Sequence, residues 1–230
     1  MLIHIFYDME NMERYLQPTK FFDFNKVKVQ QKALEITDGS ETDKEKAKSL
    51  FYWVRDRIKY NMQLFVPIIV NNFKASKVMH KRQGFCVSKS ILLSTLARAV
   101  GIPARIHLVD LINHLVSQKV VDFMGTNVMF YHGFSEFYLN GKWIKLTPSF
   151  DQETAHRGKF LPMVEFDGEN DAVFPPHDIN GNKFGEYVED RGVHADLPLD
   201  DIDKVFREKY EMYRMFLNGS VKIDDNGKLI

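Results

Sequence analysis

Residues 128–147 read VMFYHGFSEFYLNGKWIKLT, two β-rich runs on either side of Asn140-Gly141. That dipeptide is the favoured centre of a two-residue type I′ turn, where both positions need positive φ. It commits this stretch to an antiparallel hairpin with strands over about 128–139 and 142–147, and it excludes an all-helical chain.

The N-terminal half carries the opposite periodicity. Thr42-Asp43-Lys44-Glu45 matches a capping box, and behind it Ala47, Leu50, Phe51, Val54 and Ile58 recur at helical spacing. This predicts an amphipathic helix over 43–58. A second apolar-periodic run, Val87, Ile91, Leu92, Leu96, Ala97 and Val100, ends at Gly101 with Pro103 beyond it. Glycine just past the last turn, followed by proline, is a helix stop, so a helix is expected from Cys86 to Val100 and a strand over 104–109. Shorter helices are expected over 26–37 and 111–123, an irregular stretch over 61–80, a single helix over 199–217 and a small hairpin or loose end after 221. Helices first and a hairpin after them give an α+β class, a helical N-terminal part packed on an antiparallel sheet.

The chain has 230 residues, and one cysteine among them cannot close an internal disulfide, which suits a reducing compartment. Thirty-one basic residues balance 31 acidic ones, so bulk charge steers the chain toward neither nucleic acid nor an anionic membrane. Asp8, Glu10 and Glu13 interrupt the apolar core a signal peptide would need, and LFVPIIV at 64–70 is too short to span a bilayer. A cytoplasmic protein without membrane partners is expected. The 19 phenylalanines are spread along the chain and suit a Phe-heavy core.

Cys86 sits where the long helix begins, two residues after Gly84. Unpaired amides and the helix dipole favour a thiolate there, and a glycine permits a sharp turn before it. A free cysteine is equally at home as a small buried hydrophobe. A nucleophilic cysteine needs a base. Of eight histidines, His132 is the one held mid-strand in the hairpin; its bland alternative is an imidazole bonded to backbone. Hairpin pairing across Asn140-Gly141 sets Thr147, Ser149 or Asp151 in reach of it. His107 and His114 have no carboxylate at ligand spacing, and DINGN at 178–182 misses the EF-hand pattern, so no metal and no cofactor is expected.

Taken together, three segments resemble the transglutaminase-like superfamily. GFCVSKSILLSTLARAVGIPARIHLV resembles its G-x-C helix and R-x-x-G-I-P-A-R segment, and HGFSEFYLNGKWIKLTP its H-x-aromatic-x-E strand pair. The capped helix ending in IKYN resembles the helix before that core. The resemblance covers roughly residues 40–150, and it implies a papain-like core inside a single domain of residues 1–230 with extensions at both ends. It also implies a Cys-His-Asp triad that cleaves or transfers an acyl group at an amide of a protein or peptide. By position it assigns the nucleophile to Cys86 and the base to His132.

The triad aspartate of the family falls on Thr147, a departure. A hydroxyl can orient the far ring nitrogen but brings no charge. Asp151 could supply the carboxylate, Thr147 could suffice as neutral Asn does elsewhere, or activity could be lost, leaving a binding or scaffold protein on the same fold. Gln83, just before the turn, is a candidate oxyanion donor beside the amide of Cys86. The oligomeric state is open.

Overall fold

A computed structural model of the chain describes residues 12–65 and 68–222. Helix α1 spans Val27–Ile36 and α2 spans Asp43–Arg57. The capping box at the start of α2 forms as expected: the Glu45 N–H donates to Thr42 Oγ1 at 3.2 Å, and the Glu45 carboxylate accepts from the Thr42 N–H at 3.0 Å. The predicted apolar stripe is fully buried from Ala47 to Ile58. Strand β1 (Lys59–Tyr60) follows, then a 3-10 turn at Met62–Phe65, α3 (Val70–Phe73), α4 (Ala75–Lys81) and β2 (Gln83–Gly84).

The expectation of an irregular 61–80 is therefore corrected over its second half. Helix α4 is too short to show periodicity, and its cap comes from far away: the Asp23 carboxylate accepts from the Ser76 N–H at 2.9 Å and from the Ser76 hydroxyl. A side chain 53 residues upstream is invisible to local reading. Strands β1 and β2 pair in parallel, Lys59 with Gln83 and Tyr60 with Gly84, which sets Tyr60 beside the approach to Cys86.

Helix α5 spans Cys86–Ala99, and Gly101 closes it at φ +84°. Strand β3 (Ala104–Asn113), α6 (Gln118–Met124), β4 (Val128–Leu139), β5 (Lys142–Leu146), α7 (Gln152–Gly158), β6 (Gly185–His194), α8 (Leu199–Lys209) and α9 (Glu211–Leu217) complete the chain. The sheet is antiparallel in the order β5-β4-β3-β6. Asn140 at φ +50° and Gly141 at φ +83° make the expected tight turn.

Three expectations change here. The first part of the helix expected over 111–123 gives way to β3, which runs on to Asn113 because Leu111 and Ile112 pair on both sides, with Met129 and Val128 of β4 and with Tyr187 and Glu186 of β6, while Gln118–Met124 is helical. Two-sided pairing overrides a weak local preference. The helix over 199–217 breaks at Tyr210, whose extended backbone aims its phenol at β4, accepting from Phe130 N–H at 2.8 Å and donating to Val128 C=O at 3.2 Å. The edge strand β6 has no local signal in the sequence, since its mostly exposed residues show no apolar alternation. The expected tail structure lies mostly outside the described residues.

Helix α5 is the central element, buried along nearly its whole length against β4 and the other helices. Burying Ile91, Leu92, Leu93 and Leu96 contributes on the order of 2 kcal/mol each. Two serines fix its height on the sheet: Ser90 Oγ donates to Gly133 C=O at 3.0 Å, and Ser135 Oγ donates to Ser90 C=O at 2.9 Å. At its far end the buried Arg98 donates to the carbonyls of Ala104, Gln17 and Ala195, each at 2.8 Å. One guanidinium thus clamps three separate segments around the Gly101–Pro103 turn, and its fork of donors suits that task where an ammonium would not.

Candidate functional site

Cys86 is the first residue of α5, half-buried, in the position expected. Gly84 is needed for a different reason from the one expected. Its backbone does not take a positive φ; a side chain there would collide with Ser88 Oγ at 2.8 Å and Lys89 Cγ at 3.1 Å. Phe85 takes the N-cap position and cannot cap with its ring, so Ser88 Oγ accepts from the Phe85 N–H at 2.9 Å. Lys89, fully buried, donates from Nζ to the carbonyls of Arg55 and Ile58. It thereby ties the end of α2, and with it β1, to the helix that carries the cysteine. Burial pulls this ammonium down to about 7, against the attraction of Asp151 and Asp56.

Where the helix meets the sheet, the contact is backbone to backbone. A Cβ on Gly133 would lie 3.0 Å from Val87 Cα, so only glycine allows this approach. The Gly133 backbone, immediately after His132, works to lower the pKa of the Cys86 thiol. The fold thus brings the start of α5 against the strand position that bears the imidazole.

The electrostatics reverse the expected lowering of the thiol. Burial pushes Cys86 up to about 11, more than the backbone hydrogen bonds of Gly133, Val87 and Cys86 itself can offset. Burial alone carries His132 down to about 3. The helix terminus favours a thiolate by a fraction of a pH unit to one unit, and desolvation is the larger effect here. The resting pair is a thiol and a neutral imidazole.

His132 is 3% exposed, covered by Phe174, with ring centroids 5.5 Å apart, and flanked by Tyr187 at 6.4 Å. The acidic, Phe-containing segment after 165 therefore covers this part of the site. His132 Nε2 has no hydrogen-bond partner in the protein, and neither do Thr147 Oγ1 and Ser149 Oγ, all three buried. The β4–β5 register ends at Ser135 with Leu146, and the next N–H, that of Thr147, donates to the Ala172 carbonyl at 2.8 Å. Thr147 directly follows β5, at the position that the family resemblance gives to the acid. Its hydroxyl lies close enough to Tyr187 to influence that phenol, which burial raises to about 12, but it meets no partner in bonding geometry.

Asp151 sits elsewhere. As N-cap of α7 it accepts from the Thr154 N–H at 3.1 Å and the Thr154 hydroxyl at 2.8 Å, and from the Tyr60 N–H at 2.7 Å. Burial opposes its charge, but these donors hold the carboxyl below its usual range. Gln83 pairs with Lys59 in the two-stranded ribbon, and its Oε1 accepts from Asn61 Nδ2 at 3.1 Å. Tyr60, a residue that carried no local signal, is among the side chains that share a pocket with Cys86.

His107 is a separate cluster on the sheet. Nδ1 meets Glu136 at 2.7 Å and Nε2 meets Asp190 at 2.9 Å, while Arg105 reaches the other Glu136 oxygen at 2.6 Å. Burial works against its charge, yet the two carboxylates raise its pKa. This cluster gives both Arg105 of the G-I-P-A-R segment and Glu136 of the hairpin a structural task. Among the described residues, no group of three or more His, Cys, Asp or Glu side chains is arranged to hold a metal, and no helix is long and apolar enough to cross a membrane.

Residues 30–148 match the profile of the transglutaminase-like superfamily. The sequence matches no curated protein. Among solved structures, a cysteine protease candidate from Cytophaga hutchinsonii superimposes with a TM-score of 0.51 at 17% identity, over 81% of this chain and 47% of that one. A protease candidate from Parabacteroides distasonis matches at TM-score 0.38 and 16% identity, over 60% of this chain and 25% of that one. The chain therefore spans about half the length of the first of these, and the likeness is one of fold.

Proposed function

Since the chain belongs to the transglutaminase-like superfamily, we propose that it is a cysteine enzyme that cleaves or transfers an acyl group at an amide of a protein or peptide. The observation that carries this reading is the placement of Cys86 at the start of α5, where its neighbour Val87 packs backbone to backbone on Gly133, one residue from His132.

The pair starts neutral, so His132 acts as a general base rather than as half of an ion pair. It takes the thiol proton as sulfur attacks the substrate carbonyl and the C–S bond forms. The Cys86 N–H and the Tyr60 phenol, which lines the same pocket, serve as donors to the developing oxyanion, with Gln83 in reserve. His132 returns the proton to the departing amine as the C–N bond breaks, which leaves a thioester. Water, or a second amine, then releases it with His132 again as base. Thr147 orients Nε2 through its hydroxyl when substrate is seated, and Asp151 contributes by fixing the Tyr60 backbone. A single cysteine suits the reducing cytoplasm as the place of action.

The rival reading is a binding or scaffold protein on the same fold. One observation favours it: Nε2 and the Thr147 hydroxyl, which a working triad would join, are both unpaired. Intact-mass detection of an acyl adduct on Cys86 after mixing with an aryl ester at pH 7.5 decides between them. The enzyme reading expects an adduct that is absent in Cys86→Ala and forms at least a hundredfold more slowly in His132→Ala. No adduct, or one indifferent to His132, establishes the scaffold.

A further inference from the structure

The wall of the pocket that Cys86 enters is apolar. Met62, Phe65, Met129, Phe130 and Phe206 line it, and no charged side chain does. Of its hydroxyls, that of Tyr210 is already committed to Phe130 and Val128. The cavity measures about 30 Å³, room for about two water-sized groups, so one or two methyls fill it and a benzene ring does not fit.

We propose that this pocket receives the side chain of the residue whose carbonyl Cys86 attacks, and that the substrate is a peptide or peptide-like amide with a small aliphatic residue, Ala or Val, at that position. The inference rests on the nucleophile reading above, because a sulfur that forms a thioester places the acyl group's nearest substituent beside itself. Cys86 is itself part of the pocket wall. A methyl or isopropyl group exchanges water for Met and Phe side chains, a gain of roughly fourfold per buried methylene. An Asp or Lys side chain would enter a dry pocket that offers no counter-charge, at a far larger loss. The pocket is also closed at the back by α8, which supplies Phe206. Selectivity is therefore built by a C-terminal helix outside the stretch matched by the family profile, residues 30–148.

The test uses the full chain and a set of peptidyl chloromethyl ketones that differ only in the residue next to the warhead: Gly, Ala, Val, Phe, Asp and Lys. Alkylation of Cys86 displaces chloride and adds the reagent mass, so intact mass gives a second-order rate for each. The Val reagent is expected to react at least tenfold faster than Gly and at least a hundredfold faster than Asp or Lys, with Phe slower than Val. Met129→Ala and Phe206→Ala widen the pocket and should shift the preference toward Phe. Phe206 is buried in the core and its variant could fail to fold, so the half-buried Met129 keeps the test decisive. Rates within threefold across the set, or an order unchanged in Met129→Ala, overturn the pocket assignment while leaving Cys86 a nucleophile. Absence of alkylation by every reagent, including iodoacetamide, overturns the nucleophile reading and the pocket assignment with it.

Discussion

Replacing His132 by Gln should change how the protein responds to acid. His132 is buried with Nε2 unpaired, and its pKa falls from 6.5 to about 3. In the unfolded chain the same ring takes up a proton near pH 6.5, so between pH 6.5 and about 3 the unfolded state binds more protons than the folded one. Stability therefore falls as pH drops through that window, by about 1.4 kcal/mol per pH unit. At pH 4.5, two units below the unfolded value, the loss comes to about 2.7 kcal/mol relative to pH 8. Carboxylates with lowered pKa, among them Glu136 and Asp151, add acid sensitivity of their own, while His107, whose pKa is raised, works the other way. All three remain in the variant, so the difference between the two proteins isolates His132. Urea unfolding followed by Trp fluorescence at pH 8 and pH 4.5 measures it. The wild type should lose about 2–3 kcal/mol more than His132→Gln over this interval. Parallel losses in the two proteins would refute the claim that His132 is held neutral by burial.

Alkylation of Cys86 by iodoacetamide should rise with pH toward a midpoint near 11, and a midpoint near or below 8.5 would show that burial is not the dominant effect on the thiol. Thr147→Asp puts a carboxylate at the position that the family resemblance gives to the acid; it should raise the pKa of His132 and speed acylation on the order of tenfold or more, and an unchanged rate rejects Thr147 as the orienting position. Asp151→Ala removes the cap of α7 and strands the Tyr60 N–H, costing about 1–3 kcal/mol in urea unfolding. Because that carboxylate binds Tyr60 and Thr154, the pH profile of Cys86 alkylation should stay where it is, and a shift would show that Asp151 acts on His132. Gly133→Ala drives a Cβ into Val87 Cα, and a loss of about 1–3 kcal/mol by thermal melting is expected; no change would mean that α5 can move away freely.

Local chemistry was enough wherever an element carries its own signal. The Thr42–Glu45 box, the Gly101 stop, the apolar face of α5 and the Asn140-Gly141 turn are all rules about neighbours within a few residues, and the helices and strands they imply are present. So is the placement of Cys86 at a helix start and of His132 in a strand, which are properties of those same elements. The elements misread lack such rules. Helix α4 is capped by Asp23, β3 is lengthened by partners on both sides, β6 is an exposed edge, and Tyr210 breaks a helix to reach β4.

The chemistry of the site divides along the same line. Sequence alone determined which side chains stand at the start of α5, in the hairpin and at its end, including the threonine that follows β5. Only the tertiary structure decided their charge states. A helix N-terminus argues for a thiolate from position in the chain, whereas desolvation depends on what packs around the sulfur and the imidazole, and here Phe174, Tyr60 and the Met and Phe side chains come from distant segments. Burial outweighs the helix dipole by several-fold in free energy. The same separation in sequence explains why the pocket beside Cys86 is apolar and small: its walls come from six elements, among them α8, and the chain must fold before they meet.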